Sequence, residues 1–247
     1  MAITLQPGQQ LPLNVQLTPL PVTPYPIWHT ADQKAAIAWN SYQVTVDRPN
    51  NVQEGDLLVA LVSTDFSYSV SERNYPFNLI AKIPDPDIPQ SWPTTQAFYR
   101  IATSNEPSSY TFRTPDPRPP REDPYPLNSG FVLMGRVTNY GLSPGPVDGV
   151  YGRSSDGAHH SSIQFHASQL LVSVPTSLLI TFTSHWINVE FTRIRGTAPM
   201  IWEILDIALR SIRIADPLEG QPTWNRTIEF TPAERVAGMM FNIIPGL

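Results

Sequence analysis

The sequence predicts an all-β protein: an antiparallel β-sandwich, jelly-roll-like in its wiring, with an extended N-terminal arm. Two observations carry the fold class. Short runs alternate apolar and polar residues with period two, as half-buried antiparallel strands require. Proline accounts for 27 of 247 residues, about twice the ordinary share, and at that density it breaks helices and gathers at turns, sheet edges and extended segments. A third observation bears on assembly. Charged residues make up only 15% of the chain, against about 25% in an ordinary soluble domain, so part of the surface is expected to be covered by partner subunits.

Residues 1–38 are read as the arm and 39–247 as the sandwich. In the arm, Leu11, Leu13, Val15, Leu17, Leu20 and Val22 are spaced between prolines that include Pro19, Pro21 and Pro24, and no charged residue precedes Asp32. Disordered tails are polar and charged. This one is neither, so it is expected to order against its own domain or a neighbouring subunit, with those nine residues as the interface. Proline's fixed φ lowers the entropy lost when such a segment docks. Residues 32–39 (DQKAAIAW) hold some helical promise.

The strands follow. Residues 42–46 place Tyr42, Val44 and Val46 on one face. Residues 57–63 (LLVALVS) form an apolar run suited to a strand buried on both faces, and 77–83 make another strand. The clearest pair lies in 97–114. Phe98 and Arg100 alternate with Tyr99 and Ile101, and Tyr110 and Phe112 alternate with Thr111 and Arg113. Ser104, Asn105, Glu106, Pro107 and Ser108 supply turn chemistry between them. A hairpin is expected, with Tyr110 and Phe112 facing the core and Glu106 bonding nearby backbone. Residues 115–126 (PDPRPPREDPYP) read as a loop, 131–137 as a strand and the glycine-rich 141–157 as irregular. Runs at 170–174, 177–184, 189–195, 205–214, 225–230 and 236–244 bring the total to about a dozen strands, the spacing of a sandwich or barrel.

Several functions are disfavoured. The chain has no cysteine, which removes disulfides, thiolate metal sites and cysteine nucleophiles. A net charge of −5 without a basic cluster does not suggest nucleic acid as a partner. No run of about 18 apolar residues suggests a membrane span. Residues 1–16 lack the charged and apolar regions of a signal peptide, so the protein is expected to be made in a cytoplasm and not secreted by that route.

Candidate chemistry is thin. His29, His159, His160, His166 and His185 invite a metal, with Asp156 near the middle three, but they lack the spacing of a three- or four-ligand site. Asp85 and Asp87, or Asp116, Glu122 and Asp123, are too stiffened by interleaved prolines to curl around calcium. Glu203 with Asp206, and His160 with Ser161 or Ser162, could be named for hydrolysis, yet no G-x-S-x-G, H-E-x-x-H or phosphate loop is present. No catalytic residue, metal or cofactor is therefore expected. Trp92 and Trp224, with Tyr125 and Tyr140, occupy loop contexts. The two tryptophans are the candidate saccharide contacts.

Three segments carry a resemblance: 52–62 (VQEGDLLVALV), 97–112 (AFYRIATSNEPSSYTF) and 131–139 (FVLMGRVTN). They are similar to a β-sandwich family common in tailed bacteriophages and prophages, whose members read GDLLVAFV, then YRVA-x-x-SEP-x-SYTF, then an apolar strand ending in a YRGV-like run. The family's second half resembles 177–182 (SLLITF), 202–206 (WEILD) and 233–241 (AERVAGMMF). The chain departs from the pattern at 65–74, where the family has a glycine-rich loop, and at Gly135–Thr138, where the aromatic is missing. The resemblance implies a sandwich fold and a virion location. It further implies other virion proteins, major capsid or tail, as partners. A homo-oligomer such as a trimer is expected on a separate ground, closed symmetric contacts being the default. The expected role is a capsid decoration or cement protein. The alternative is a tail, baseplate or fibre component acting as a receptor- or carbohydrate-binding module.

Overall fold

The computed structural model describes residues 25–38, 41, 43–64, 71–72, 74–83, 94–113, 130–142, 145–166, 177–186, 191–195, 201–205, 209–217 and 225–246. Among these residues the strands, in chain order, are β1 Ile27–Trp28, β2 Lys34–Ala38, β3 Gln43–Asp47, β4 Leu57–Thr64, β5 Ser71–Glu72, β6 Asn78–Ile83, β7 Thr94–Ile101, β8 Ser109–Arg113, β9 Gly130–Thr138, β10 Val147–His166, β11 Leu178–Trp186, β12 Phe191–Arg195, β13 Ile201–Leu205, β14 Leu209–Pro217 and β15 Asn225–Ile243. No α-helix occurs among them; the one helical turn, Thr30–Asp32, is 3-10.

All pairings are antiparallel, as the sequence predicts. The sandwich is three sheets deep. In the central sheet the order is β9-β4-β7-β6, with β1 and β2 laid end to end along the outer side of β9. A small sheet, β3-β8-β5, covers one face of it, and a larger one, β10-β15-β11-β14-β13, covers the other. This layering explains why all eight residues of β4 are buried. Leu57, Val59 and Leu61 enter one core with Leu178, Ile180, Phe182, Met239, Phe241 and Ile243 of the large sheet. Leu58, Ala60 and Val62 enter the other with Val44, Val46, Tyr110 and Phe112 of the small sheet. Strand β9 divides in the same way: Phe131, Leu133 and Val137 face the large sheet, and Val132 and Met134 the small one. By contrast β3, with a core on one side only, alternates buried Val44 and Val46 with exposed neighbours.

Four expectations are corrected. The 97–114 segment is not a hairpin. Strand β7 pairs with β4 and β6 in the central sheet, whereas β8 pairs with β3 and β5 in the small one. The chain arches from one layer to the next, and Phe98 meets Phe112 across the core with ring centroids 5.8 Å apart. Alternation alone cannot distinguish an arch from a hairpin, since both give each strand one core face. The helical promise of 32–39 yields to tertiary pairing: residues 34–38 form β2, in register with β9 from Lys34–Met134 to Ala38–Gly130.

The glycine-rich 141–157 segment is largely strand. Its glycines serve β10 locally: Gly149 takes φ +69 at a register shift between Asp148 and Val150, and Gly152 leaves room for Ile83, whose Cδ1 would lie 1.9 Å from an added Cβ. The runs 225–230 and 236–244 join into the single strand β15. Pro232 falls inside a register irregularity, between the pairs Ser162–Glu229 and His160–Ala233, where no ladder N–H is needed. Within the segment read as the arm, residues 25–38 are seated on the sandwich through β9. Residues 1–24, including Leu11, Leu13, Val15, Leu17, Pro19, Leu20, Pro21, Val22 and Pro24, lie outside the described residues, as do 115–126 and 170–174.

Candidate functional site

Two polar clusters stand out against the apolar layers. The first closes the arch. Glu106 sits in the connection between β7 and β8, and its carboxylate is 1% exposed. Arg100 donates to it from Nε (3.0 Å to Oε1) and from Nη2 (2.8 Å). Thr103 donates from its backbone N–H (2.7 Å) and hydroxyl (3.0 Å), and the Tyr110 hydroxyl donates at 2.6 Å. Arg48 reaches the Glu106 carbonyl at 2.9 Å. Burial pushes the Glu106 pKa up, but the bonds from Arg100, Tyr110 and Thr103 outweigh it and hold the carboxyl below its ordinary value. Burial and then the bond to Glu106 push the Tyr110 phenol well up. The Tyr110 ring is buried edge-on against Tyr75 and Phe77, and the Arg100 guanidinium lies 5.5 Å from the Tyr75 ring centroid. A buried carboxylate with this many donors is a satisfied one.

The second cluster ties residues 25–38 to the central sheet. Trp28 occupies a slot on β9 that exists because residue 135 is glycine; a Cβ there would lie 1.9 Å from the indole Cζ2. The indole N–H donates to Gln33 at 3.0 Å. Arg136, next along β9, donates from Nη2 to Asp32 (2.9 Å) and from Nη1 to Asp56 (3.1 Å). Asp32 also accepts from Asn51 at 2.7 Å, and Asp56 from the Gln53 backbone N–H at 2.8 Å. His29 Nε2 shares a hydrogen bond with Thr138 Oγ1 at 2.9 Å, and Tyr140 donates to the Gly55 carbonyl at 2.6 Å. The Asn51 bond, aided by Arg136, holds Asp32 below the usual carboxylate range against the effect of burial. Burial and then Arg136 lower His29, although Asp32 and Asp56 pull the other way. Arg136 is raised, its two carboxylates outweighing burial.

Both clusters have their polar atoms engaged with protein groups, which suits fixing the chain in place. Of the residues that the sequence singles out, Glu106, Tyr110 and Phe112 are where they are expected, and Glu106 does bond nearby backbone. The Arg136–Asp32–Asp56 cluster is not expected from sequence. Its one local signal is Asp56, an acid directly before an eight-residue buried strand, which needs a partner.

His29 is drawn into the second cluster. His159, His160 and His166 fall on β10 and His185 on β11, placed by backbone. Ser161 and Ser162 share β10 with His160, and Glu203 falls on β13. Trp92 and Trp224 lie outside the described residues, as do Asp85, Asp87, Asp116, Glu122, Asp123, Tyr125 and Asp206. Among the described residues no group of three or more histidines and carboxylates could hold a metal ion, and no helix is long and apolar enough to cross a membrane. Comparison with protein-family models, with curated proteins and with solved structures gives no match for the chain.

Proposed function

We propose that the chain is a structural protein of a tailed-bacteriophage virion, a capsid decoration or cement protein that joins particle subunits through its sandwich and residues 1–24. The observation that carries this reading is where the resemblance motif falls. Gly55 and Asp56 bond to Ala102, Arg136 and Tyr140 around the central sheet, the buried strand after them fills the cores on both its faces, and the segment from Arg100 to Tyr110 closes the arch between layers, so the motif marks a scaffold. Layers packed on both faces of one sheet resist deformation, as crystal-like packing dictates. Residues 1–24 are uncharged and rich in proline and leucine, and β1, which follows them in sequence, pairs at Ile27 with Thr138 of β9. Fully extended they span up to about 80 Å, enough to reach a neighbouring subunit.

The test is quantification on purified particles, together with a variant lacking residues 1–24. Expected are a fixed copy number on the particle and a truncated protein that folds yet fails to incorporate. Absence from particles would contradict the virion reading; normal incorporation of the truncated protein would contradict the role of the arm. Glycan binding abolished by Trp92→Ala or Trp224→Ala would instead favour the receptor-binding alternative.

A further inference from the structure

We propose that residues 29–38 form an acid-releasable strap: an outer segment, hinged at the core-buried Trp28, that detaches from β9 on acidification while the three-layer sandwich stays folded. The geometry sets it apart from the rest of the fold. Strands β1 and β2 pair with β9, and the 3-10 turn at Thr30–Asp32 breaks the ladder between them. Most of β2 is only half buried. The polar links from the strap to the sandwich converge on that turn. They include His29 Nε2 to Thr138, Asp32 to Arg136, Asp32 to Asn51, the Asn50 N–H to the Asp32 carbonyl at 2.8 Å, and the His29 N–H to the Arg136 carbonyl at 3.0 Å. Two of these five depend on the Asp32 carboxylate and a third on the His29 imidazole. The charged and titratable groups facing them are Arg136 from β9 and Asp56 from the segment before β4, with His29 and Asp32 facing one another.

The sign is the same for both strap groups. Asp32 is held below its ordinary pKa of 3.8, so the stability that it lends is present above that value and is lost as pH falls through its lower, folded value. His29 is lowered from 6.5, so the folded strap favours neutral imidazole. Protonation, which becomes favourable in the released strap below that value, therefore works against the strap, and Arg136 is the like charge it would meet. Acid thus weakens the turn in two stages, while the cores on either face of β4 are built from apolar side chains.

The absence of native cysteine makes the test clean. Ala36→Cys places one thiol on the strap, and its reaction with 4,4′-dithiodipyridine, a reagent that works in acid, is followed from pH 7.5 to pH 2.5 beside near-ultraviolet circular dichroism. Labelling is expected to accelerate severalfold across this range, in the direction that linkage sets for both groups, with the dichroism unchanged. His29→Gln should remove the upper stage, and Asp32→Asn should give fast labelling already at neutral pH. Ala36→Cys with Val132→Cys, residues in register, should form a disulfide that locks the strap. The locked protein should keep its Lys34 amide protected from hydrogen exchange at pH 2.5, where the reduced form loses protection. Labelling that does not change with pH, or that rises only together with loss of the dichroism signal, would overturn the proposal. Should Asp32→Asn fail to fold, the His29→Gln profile and the disulfide comparison still decide it.

Discussion

The arch corner and the strap clamp are built from the same chemistry, arginine against buried carboxylate, yet they differ in how they are assembled. At the corner Arg100, Thr103, Glu106 and Tyr110 come from one stretch of eleven residues, and the Glu106 side chain is buried. At the clamp Arg136 meets partners 104 and 80 residues away, and the segment it holds lies on the outside of the sheet. The first is a local motif that fixes how the chain passes between layers. The second is a long-range contact that fixes where an outer segment rests. Loss of the corner should therefore destabilise the whole domain, and loss of the clamp should free one edge.

The largest effect is expected from Glu106→Ala, which leaves the Arg100 guanidinium, the Tyr110 hydroxyl and the Thr103 N–H without their shared acceptor. Breaking a buried pair in this way costs about 3–5 kcal/mol, read as a lower urea midpoint with an unchanged slope. Because the folded-state pKa of Glu106 is depressed, its contribution is present above the ordinary carboxylate range and is lost as pH falls through the folded value. Glu106→Gln should accordingly flatten the acid limb of the stability profile.

Next is Gly135→Ala, which puts a methyl group where the Trp28 indole lies. Overpacking of this kind costs about 1–3 kcal/mol, and the damage should be concentrated in residues 25–38. Tyr110→Phe keeps the ring packing and removes one charge-assisted hydrogen bond, with an expected loss of about 1.5–3 kcal/mol at the low end, since the remaining donors still satisfy Glu106. The smallest global change is expected from Leu79→Ser. Leu79 is 56% exposed, and surface changes away from special features stay within about 0.5 kcal/mol. A larger loss would mean that Leu79 is covered in solution.

The difference in assembly also explains what was legible in the sequence. Period-two runs reveal β3, β7 and β8 because each side chain's face is set by its own position, and continuous apolar runs reveal β4 and β9. The corner's parts are visible for the same reason: Glu106 and Tyr110 sit four residues apart beside a proline. What the pattern does not contain is which sheet each strand joins, so an arch reads as a hairpin. Asp32, Asp56 and Arg136 are brought together only by the pairing of β1 and β4 with β9, and no spacing along the chain encodes that meeting. Glycines in β10 mislead because Gly149 and Gly152 answer to a bulge and to Ile83, both set by strands far away in sequence.

The measurement that separates the two clusters most directly is residue-resolved hydrogen exchange at neutral pH on the parent protein, Arg136→Gln and Glu106→Gln. For Arg136→Gln, protection is expected to fall in residues 27–38 and along the outer edge of β9, with 97–113 unchanged. For Glu106→Gln it should fall across β7, β8 and the small sheet together. Equal loss over both regions in both variants would contradict the division into a corner that holds the fold and a clamp that holds an edge.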